Sequence, residues 1–405
     1  MQTSDITIIG AGVVGLATAY QLSRREPALN IVIIEKESEP ASHQSGRNSG
    51  VLHSGIYYRP SSLKAELCRT GRQAMVEFCA SEGIPYEVCG KVIVALDEGD
   101  LARLQALEER AKLNGVRATR ITPAELHELE PYASGVAALH VPDTGVIDFR
   151  AVCRQFAMHV TKRSSPTSGR GTLMVSTRVY GTTVKNGSSI VHTSEGDVKT
   201  RTLVNCAGLQ SDRVAHLFGQ RPSVRIVPFK GEFYELLPQA RSFVRNLIYP
   251  VPDPAFPFLG VHLTRMLSGT VECGPNAVLA MGREAYAPWH PSATDLVATF
   301  TAPGFWQLAG KHWRAALGEV QRSLSKYAFV KALQRLAPAL RSEHLVPARA
   351  GIRAQALGAD GKLVDDFVFE ETDSVLSVCN APSPAATASL AIGNVVADRV
   401  LRMTG

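Results

Sequence analysis

Three glycines near the start, Gly10, Gly12 and Gly15, stand at the spacing that lets a main chain close on a diphosphate. Gly10 allows a tight turn, Gly12 lets the diphosphate approach the backbone, and Gly15 lets a helix pack on a strand. Val13 and Val14 belong to the same turn, and the helix after it offers free N–H groups and a partial positive charge that favour an anion. Glu35 lies twenty residues beyond Gly15. A carboxylate there accepts both ribose hydroxyls of an adenosine and repels a 2′-phosphate. Lys36 follows it, and then comes Ser42–Gly50, dense in small polar residues. Its Ser45, Arg47, Asn48, Ser49 and Gly50, with Val51 after them, can wrap phosphate and ring edges with donors. His53 stands just past this loop. An isolated histidine is more often structural, but its place here makes it a candidate to take a proton near neutral pH.

The elements that would position these groups are readable. Asp5–Ile9 is an apolar strand, Leu16–Leu22 continues as a helix, and Ile31–Ile34 is a second strand ending at Glu35. Ser61 is expected to cap a helix running to about Ala80, with Leu63, Leu67, Ala74 and Phe78 inside. Over 85–135 the chain leaves for a second unit: a strand from Val88 to Leu96, a helix ending at Asn114-Gly115, and a capping box at Thr122-Pro123-Ala124-Glu125. A helix over Phe149–Lys162 and a Ser/Pro/Thr/Gly loop over Ser164–Gly171 come next. Antiparallel strands over Leu173–Val184, which include Val179, and Ser189–Val198 follow, turning at Asn186-Gly187. Thr202–Gly208 is a buried strand whose small Ala207-Gly208 end would admit a cofactor closely. A βαβ unit, an antiparallel meander and a strand ending at Ala-Gly make an FAD domain rather than a plain NAD domain.

Strands are expected over Val227–Tyr234 and Val261–Arg265, the latter with His262 and Thr264 on one face. A loop or lid is expected between 249 and 258, helices over about 292–340, and strands over Ala348–Gln355, Asp366–Glu371 and Val375–Cys379. Ser383-Pro384-Ala385-Ala386-Thr387 then reads as the start of a last helix, whose N–H groups could stabilise a reduced flavin. The fold class is α/β: an FAD-binding Rossmann-like domain with a β-meander (1–84, 136–221 and 341–405), and an α+β substrate domain with a mixed or antiparallel sheet (85–135 and 222–340).

The 405 residues carry a net charge of +6, with no dense basic run. Nucleic-acid binding is not suggested, and a mild preference for anions is compatible. Seven cysteines without a CxxC pair argue for reduced thiols. No stretch approaches the roughly 18 apolar residues that span a bilayer, and the fold starts by residue 5. The expectation is a cytoplasmic protein with no cleavable leader, in peripheral contact at most with the inner face of the cell membrane. No metal site is expected.

The chain resembles the D-amino acid oxidase-like FAD oxidoreductases over nearly its whole length, and within them the branch that oxidises L-2-hydroxyglutarate. The stretches that carry the likeness are Asn48–Tyr58, Pro228–Tyr234, His262–Arg265, Arg349–Gln355 and Asn380–Gly393. Lys230 stands where the family more often has Arg. The resemblance implies FAD, oxidation of a 2-hydroxy diacid to a 2-oxo acid, and electrons passed to oxygen or a membrane quinone. It also implies that Arg353, in Gly351-Ile352-Arg353, holds the substrate α-carboxylate. His53 and His262 are both candidates for the base. Lys230 or Arg265 could take the distal carboxylate, with Tyr57 and Gln355 beside the substrate. An amine or amino-acid oxidase, a malate or glycerol 3-phosphate dehydrogenase, and a flavin-binding regulatory protein are the alternatives.

Overall fold

The computed structural model describes residues 1–162, 169–185, 188–253, 260–287 and 290–404. The expected Asn186-Gly187 turn, most of the 164–171 loop and part of the 249–258 lid lie outside them.

The strand Gln2–Ile9 is the centre of the first sheet. Ile6, Ile8 and Ile9 are buried, as are all four residues of Ile31–Ile34, the pattern of parallel strands covered on both faces. Sheet order runs Val179–Lys185, Ser188–Thr193, Val198–Asn205, Gln2–Ile9, Ile31–Ile34, Gly171–Met174, and Val375–Asn380 joins Val198–Asn205 in parallel. Gly171–Met174 is thus a separate strand, parallel to Ile31–Ile34, and not the start of the meander. The helix Val13–Arg25 packs on the helices Phe149–Thr161 and Ser389–Thr404. Ser62, not Ser61, caps the helix Leu63–Glu82, accepting from the Ala65 N–H at 3.2 Å. Ser61 has φ +61, which is incompatible with the extended backbone of a cap.

A second eight-stranded sheet has the order Leu345–Pro347, Tyr234–Leu236, Val271–Gly274, His262–Arg265, Leu247–Pro250, Lys91–Ala95, Ala137–Val141, Thr119–Ile121. Two of its strands, Ala137–Val141 and Leu345–Pro347, fall in segments expected to belong to the first domain. Their backbone partners are Lys91–Ala95 and Tyr234–Leu236, so the chain returns to the first sheet later than the composition suggested. A three-stranded sheet links the two: Val224–Gly231 pairs antiparallel with Gly351–Gly358 and with Val278–Leu279. Arg283 and Asp212 clip this region together. Both are buried and ion-paired, and Arg283 also donates to the Leu209 and Ile226 carbonyls at 2.8 and 3.1 Å.

Candidate active site

One large cavity, about 1230 Å³, runs from the Gly10–Val14 turn to the strand carrying Arg353. Pockets for single small molecules are typically ~300–1000 Å³, so this one has room for more than a substrate.

Its nucleotide end is built by the first βαβ unit. Gly10 has φ +101, and a Cβ there would meet the Cys206 carbonyl oxygen at 2.6 Å. Gly12, Val13 and Val14 line the wall. No acidic residue occupies the first turn of the Val13–Arg25 helix, so its positive end is left for an anion. Gly15 does not face the cavity; a Cβ there would strike the Gly10 carbonyl oxygen at 2.1 Å, so its part is close helix–strand packing. The Glu35 carboxylate is pinned from both sides, accepting from the Ala11 N–H at 2.8 Å and the Glu37 N–H at 3.0 Å. Ser45 Oγ accepts from the Val13 N–H at 2.9 Å, which ties the polar loop to the helix start.

Ser45, Arg47, Asn48, Ser49 and Val51 line the cavity. Asn48 holds the loop in shape: its amide donates to the Gln44 and Ser45 carbonyls, and its oxygen accepts from the Gly50 N–H at 2.8 Å. Gly50 itself stands behind the wall, turned with φ +63 toward the Ile147 carbonyl. Val179, Ala207, Gly208 and Gly351 are on the wall, and so are all of Ser383–Thr387. These five residues are not a helix start. The chain turns through 383–388, and the helix begins at Ser389. Turn bonds replace helical ones here: the Ala385 N–H donates to the Pro382 carbonyl at 2.9 Å and the Ser389 N–H to the Ala386 carbonyl at 3.3 Å. Thr387 Oγ1 accepts from the His53 N–H at 3.1 Å and donates to the Val51 carbonyl at 3.2 Å.

Lys36 reaches the cavity rim, but its amine is engaged. It pairs with Glu37 and with Glu284 at 3.0 Å, and lies 2.8 Å from His43 Nε2. Lys36 first, and then His43, pull the Glu37 carboxyl down to about 2. The trio Glu37, His43 and Glu284 has the spacing of metal ligands, but the ammonium already occupies its centre. His43 Nδ1 meets the Tyr286 hydroxyl at 2.8 Å, and Arg47 lies 4.2 Å over the Tyr286 ring. His43, Glu284 and Tyr286 were not foreseen, because they meet only once the two units are docked.

The other end of the cavity is lined by His53, Tyr57, Tyr249, His262, Arg353 and Gln355. His262 Nδ1 lies 2.9 Å from the Gly260 carbonyl. A carbonyl only accepts, so Nδ1 carries the proton and Nε2 keeps the lone pair. The His262 ring stacks on Tyr249, centroids 4.0 Å apart. Burial brings His262 down to about 3, assisted by the charges of Arg353 and Lys91. Burial likewise brings His53 to about 3, with Lys91, His262 and Lys64 contributing. Both imidazoles are neutral at ordinary pH, the form that can accept a proton.

Lys91 was missed. It is 2% exposed, at the head of an otherwise apolar strand. Its ammonium lies 3.3 Å from the Tyr57 hydroxyl, 4.4 Å over the Tyr57 ring and 4.9 Å over the Tyr249 ring. Burial lowers it to about 7. A lone charge opening an apolar strand was the available sign.

Lys230 and Arg265 do not reach the cavity. Arg353 stands opposite Phe229, whereas Lys230 stands opposite Ile352, so the two cations leave opposite faces of the same sheet. Lys230 pairs instead with Glu232 at 2.7 Å. Arg265 is out of phase with His262 by the same rule and pairs with Glu87 at 2.5 Å.

The site suits FAD: the unneutralised helix end for a diphosphate, the fixed Glu35 carboxylate for a ribose, and room beyond for a ring and a substrate. A model of the FAD dependent oxidoreductases (DAO) matches residues 5–399. The chain is 46% identical over 401 residues to an L-2-hydroxyglutarate dehydrogenase of Indibacter alkaliphilus, covering 98% of this chain and 99% of that one. It is 42% identical to the mitochondrial L-2-hydroxyglutarate dehydrogenase of Homo sapiens, covering 98% and 88%. Its fold is similar to that of an FAD-bound L-alpha-glycerophosphate oxidase from Mycoplasma pneumoniae, with a TM-score of 0.80 at 22% identity, covering 100% and 95%. With a family match over nearly the whole chain and relatives this similar, the chain belongs to the DAO family of FAD-dependent oxidoreductases.

Proposed function

We propose that the protein oxidises L-2-hydroxyglutarate to 2-oxoglutarate and passes the electrons to a quinone or to oxygen. The observation that carries this reading is the convergence of Arg353 and two neutral imidazoles on the cavity that begins at the diphosphate turn. The relatives named for L-2-hydroxyglutarate support the choice of substrate.

FAD, held by the Gly10–Val14 turn and the Glu35 carboxylate, would supply a two-electron acceptor for the Cα hydrogen. The protein's part is to hold the substrate and receive a proton. Arg353 grips the α-carboxylate with its planar fork, which fixes the direction of the Cα–H bond. The hydroxyl proton passes to an imidazole as the carbonyl forms. His262 offers Nε2 with its tautomer already set by Gly260; His53 is the alternative. In its ammonium form Lys91 donates to the Tyr57 oxygen, which leaves the Tyr57 O–H to donate to the distal carboxylate, with Gln355 beside it.

Anaerobic addition of L-2-hydroxyglutarate to the purified yellow protein tests the reading. Bleaching of the flavin band, with stoichiometric 2-oxoglutarate, is expected. Bleaching by an amino acid and not by the hydroxy acid overturns it in favour of an amine oxidase. No bleaching by either favours a protein that binds flavin without turnover. Re-oxidation with air or with a short-chain quinone then identifies the acceptor.

A further inference from the structure

A diacid held out of water needs a second cation. Arg353 answers the α-carboxylate, but Lys230 and Arg265 leave the cavity, and the Tyr57 O–H is a neutral donor. A carboxylate taken from water is costly unless a charge pairs with it. Most cations on the cavity wall are engaged or distant. Glu37 and Glu284 hold Lys36, Asp295 holds Arg213 at 2.6 Å, and Arg47 lies over the Tyr286 ring. Arg178 follows Thr177, whose N–H donates to the Glu35 carbonyl at 2.8 Å, at the nucleotide end. Arg110 is exposed and donates to the Tyr57 carbonyl at 3.1 Å. Lys64 differs from all of these: it lines the same cavity and is only 7% exposed.

Local structure gives no reason for a lysine there. Lys64 is the second residue of the helix Leu63–Glu82, just after the Ser62 cap. A cation at that point opposes the helix dipole, and burying its amine adds a further cost. Among the described residues, its ammonium meets one hydrogen-bond acceptor, Asp365 Oδ1 at 2.7 Å, and it lies 4.8 Å over the Tyr58 ring. The Asp365 side chain is 84% exposed. A pair with one partner in water offsets little of the cost. The same exposure lets Asp365 turn into solvent easily, which frees the ammonium for another carboxylate.

The two imidazoles show where Lys64 stands relative to Arg353. The charge of Arg353 acts on His262, and that of Lys64 acts on His53. All four side chains line the one cavity, so the two cations flank the histidine pair. We infer that Lys64 selects a diacid: its ammonium leaves Asp365 and pairs with the distal carboxylate, while Arg353 holds the other. The carbon chain of the substrate then runs past both candidate bases. A monoacid leaves the Lys64–Asp365 pair closed, and a diacid opens it, so discrimination comes from the exchange of one carboxylate for another. This rests on the proposed oxidation of a 2-hydroxy diacid and names the residue that reads its second charge.

The test uses the full-length FAD-loaded protein and two ligands without a hydroxyl: glutarate, and pentanoate, which has a methyl in place of the second carboxylate. Calorimetry should show the wild type binding glutarate more tightly than pentanoate. Lys64→Met should weaken glutarate by about tenfold or more, the scale of a charged hydrogen bond, with pentanoate affinity and melting temperature unchanged. Asp365→Asn, which removes the competing carboxylate, should tighten glutarate. Equal glutarate affinity in wild type and Lys64→Met overturns the proposal, and so does loss of both ligands together with a lower melting temperature. Unchanged or weaker glutarate binding in Asp365→Asn also overturns it, and that variant of an exposed side chain decides the matter if Lys64→Met does not fold. Loss of glutarate in Arg110→Ala and not in Lys64→Met would assign the second carboxylate to Arg110 instead. Bleaching by L-2-hydroxyglutarate with glutarate affinity intact in Lys64→Met sinks the subsite and not the reaction. No bleaching, with glutarate binding that depends on Lys64, sinks the reaction and not the subsite.

Discussion

Arg353 lines the cavity and Lys91 is buried against Tyr57, and the two should fail differently. Arg353→Ala removes the proposed fork; steady-state kinetics with a dye acceptor should show a higher KM and a lower kcat, while the visible spectrum shows FAD retained. Lys91→Met replaces a buried ammonium by a side chain of similar length. Because a desolvated charge is costly, its melting temperature should hold or rise. The KM for the diacid should nevertheless rise by about tenfold, a change of ~1.4 kcal/mol, and rise less for a 2-hydroxy monoacid. An unchanged ratio between the two substrates would leave Lys91 a packing residue. His53→Ala and His262→Ala separate the two candidate bases. The true base should lose roughly 10²–10⁴-fold in kcat, and less than about tenfold in both would place the base elsewhere.

The same histidines make stability depend on pH. Each has a folded value of about 3 against an ordinary 6.5. As pH falls below 6.5 the unfolded chain takes up protons that the folded chain refuses, so stability drops between pH 6.5 and 3. His262→Gln should flatten that part of the melting-temperature profile relative to wild type, which thermal scans over this range would read. Residues of this kind show how far the sequence could be read. The glycine turn and Glu35 are local signals, and their geometry follows from neighbours in the chain. Arg265 was misassigned although period-two counting from His262 already put it on the other face. Lys91 meets Tyr249 and His262 only through sheet pairing across more than 150 residues, which no local pattern records.

At the scale of elements, the parallel centre of the first sheet was evident because Ile31–Ile34 is an unbroken apolar run and Gln2–Ile9 ends in one broken only by Thr7. The unit boundaries were less so, since Ala137–Val141 and Leu345–Pro347 are short strands whose allegiance is set by distant partners. The buried pair Arg283–Asp212 is the clearest link between elements. Asp212 also accepts from the Ile226 N–H at 3.0 Å, so the pair joins the helix Ser211–Leu217 to the strand Val224–Gly231. Arg283→Met leaves a buried carboxylate unpaired, and chemical denaturation should show a loss of about 3–5 kcal/mol. A shift within the error of the denaturation curve would mean that water replaces the guanidinium.

For the whole molecule, the arrangement is a nucleotide-holding sheet and a substrate-side sheet joined by three antiparallel strands, with the cavity along the join. Arg353 enters that cavity from the joining sheet, so its reach depends on how both large sheets are seated. The latch of Lys36, Glu37, His43 and Glu284 spans the same join. It closes beside the nucleotide end of the cavity.

The hydroxyl of Thr387 sits between the amide of His53 and the carbonyl of Val51. Thr387 therefore completes a wall whose partners lie more than 330 residues earlier in the chain. Until the segment 383–387 has been made and docked, the flavin pocket lacks one side. A premature stop before 383 would yield a colourless product even with every glycine of the opening turn intact.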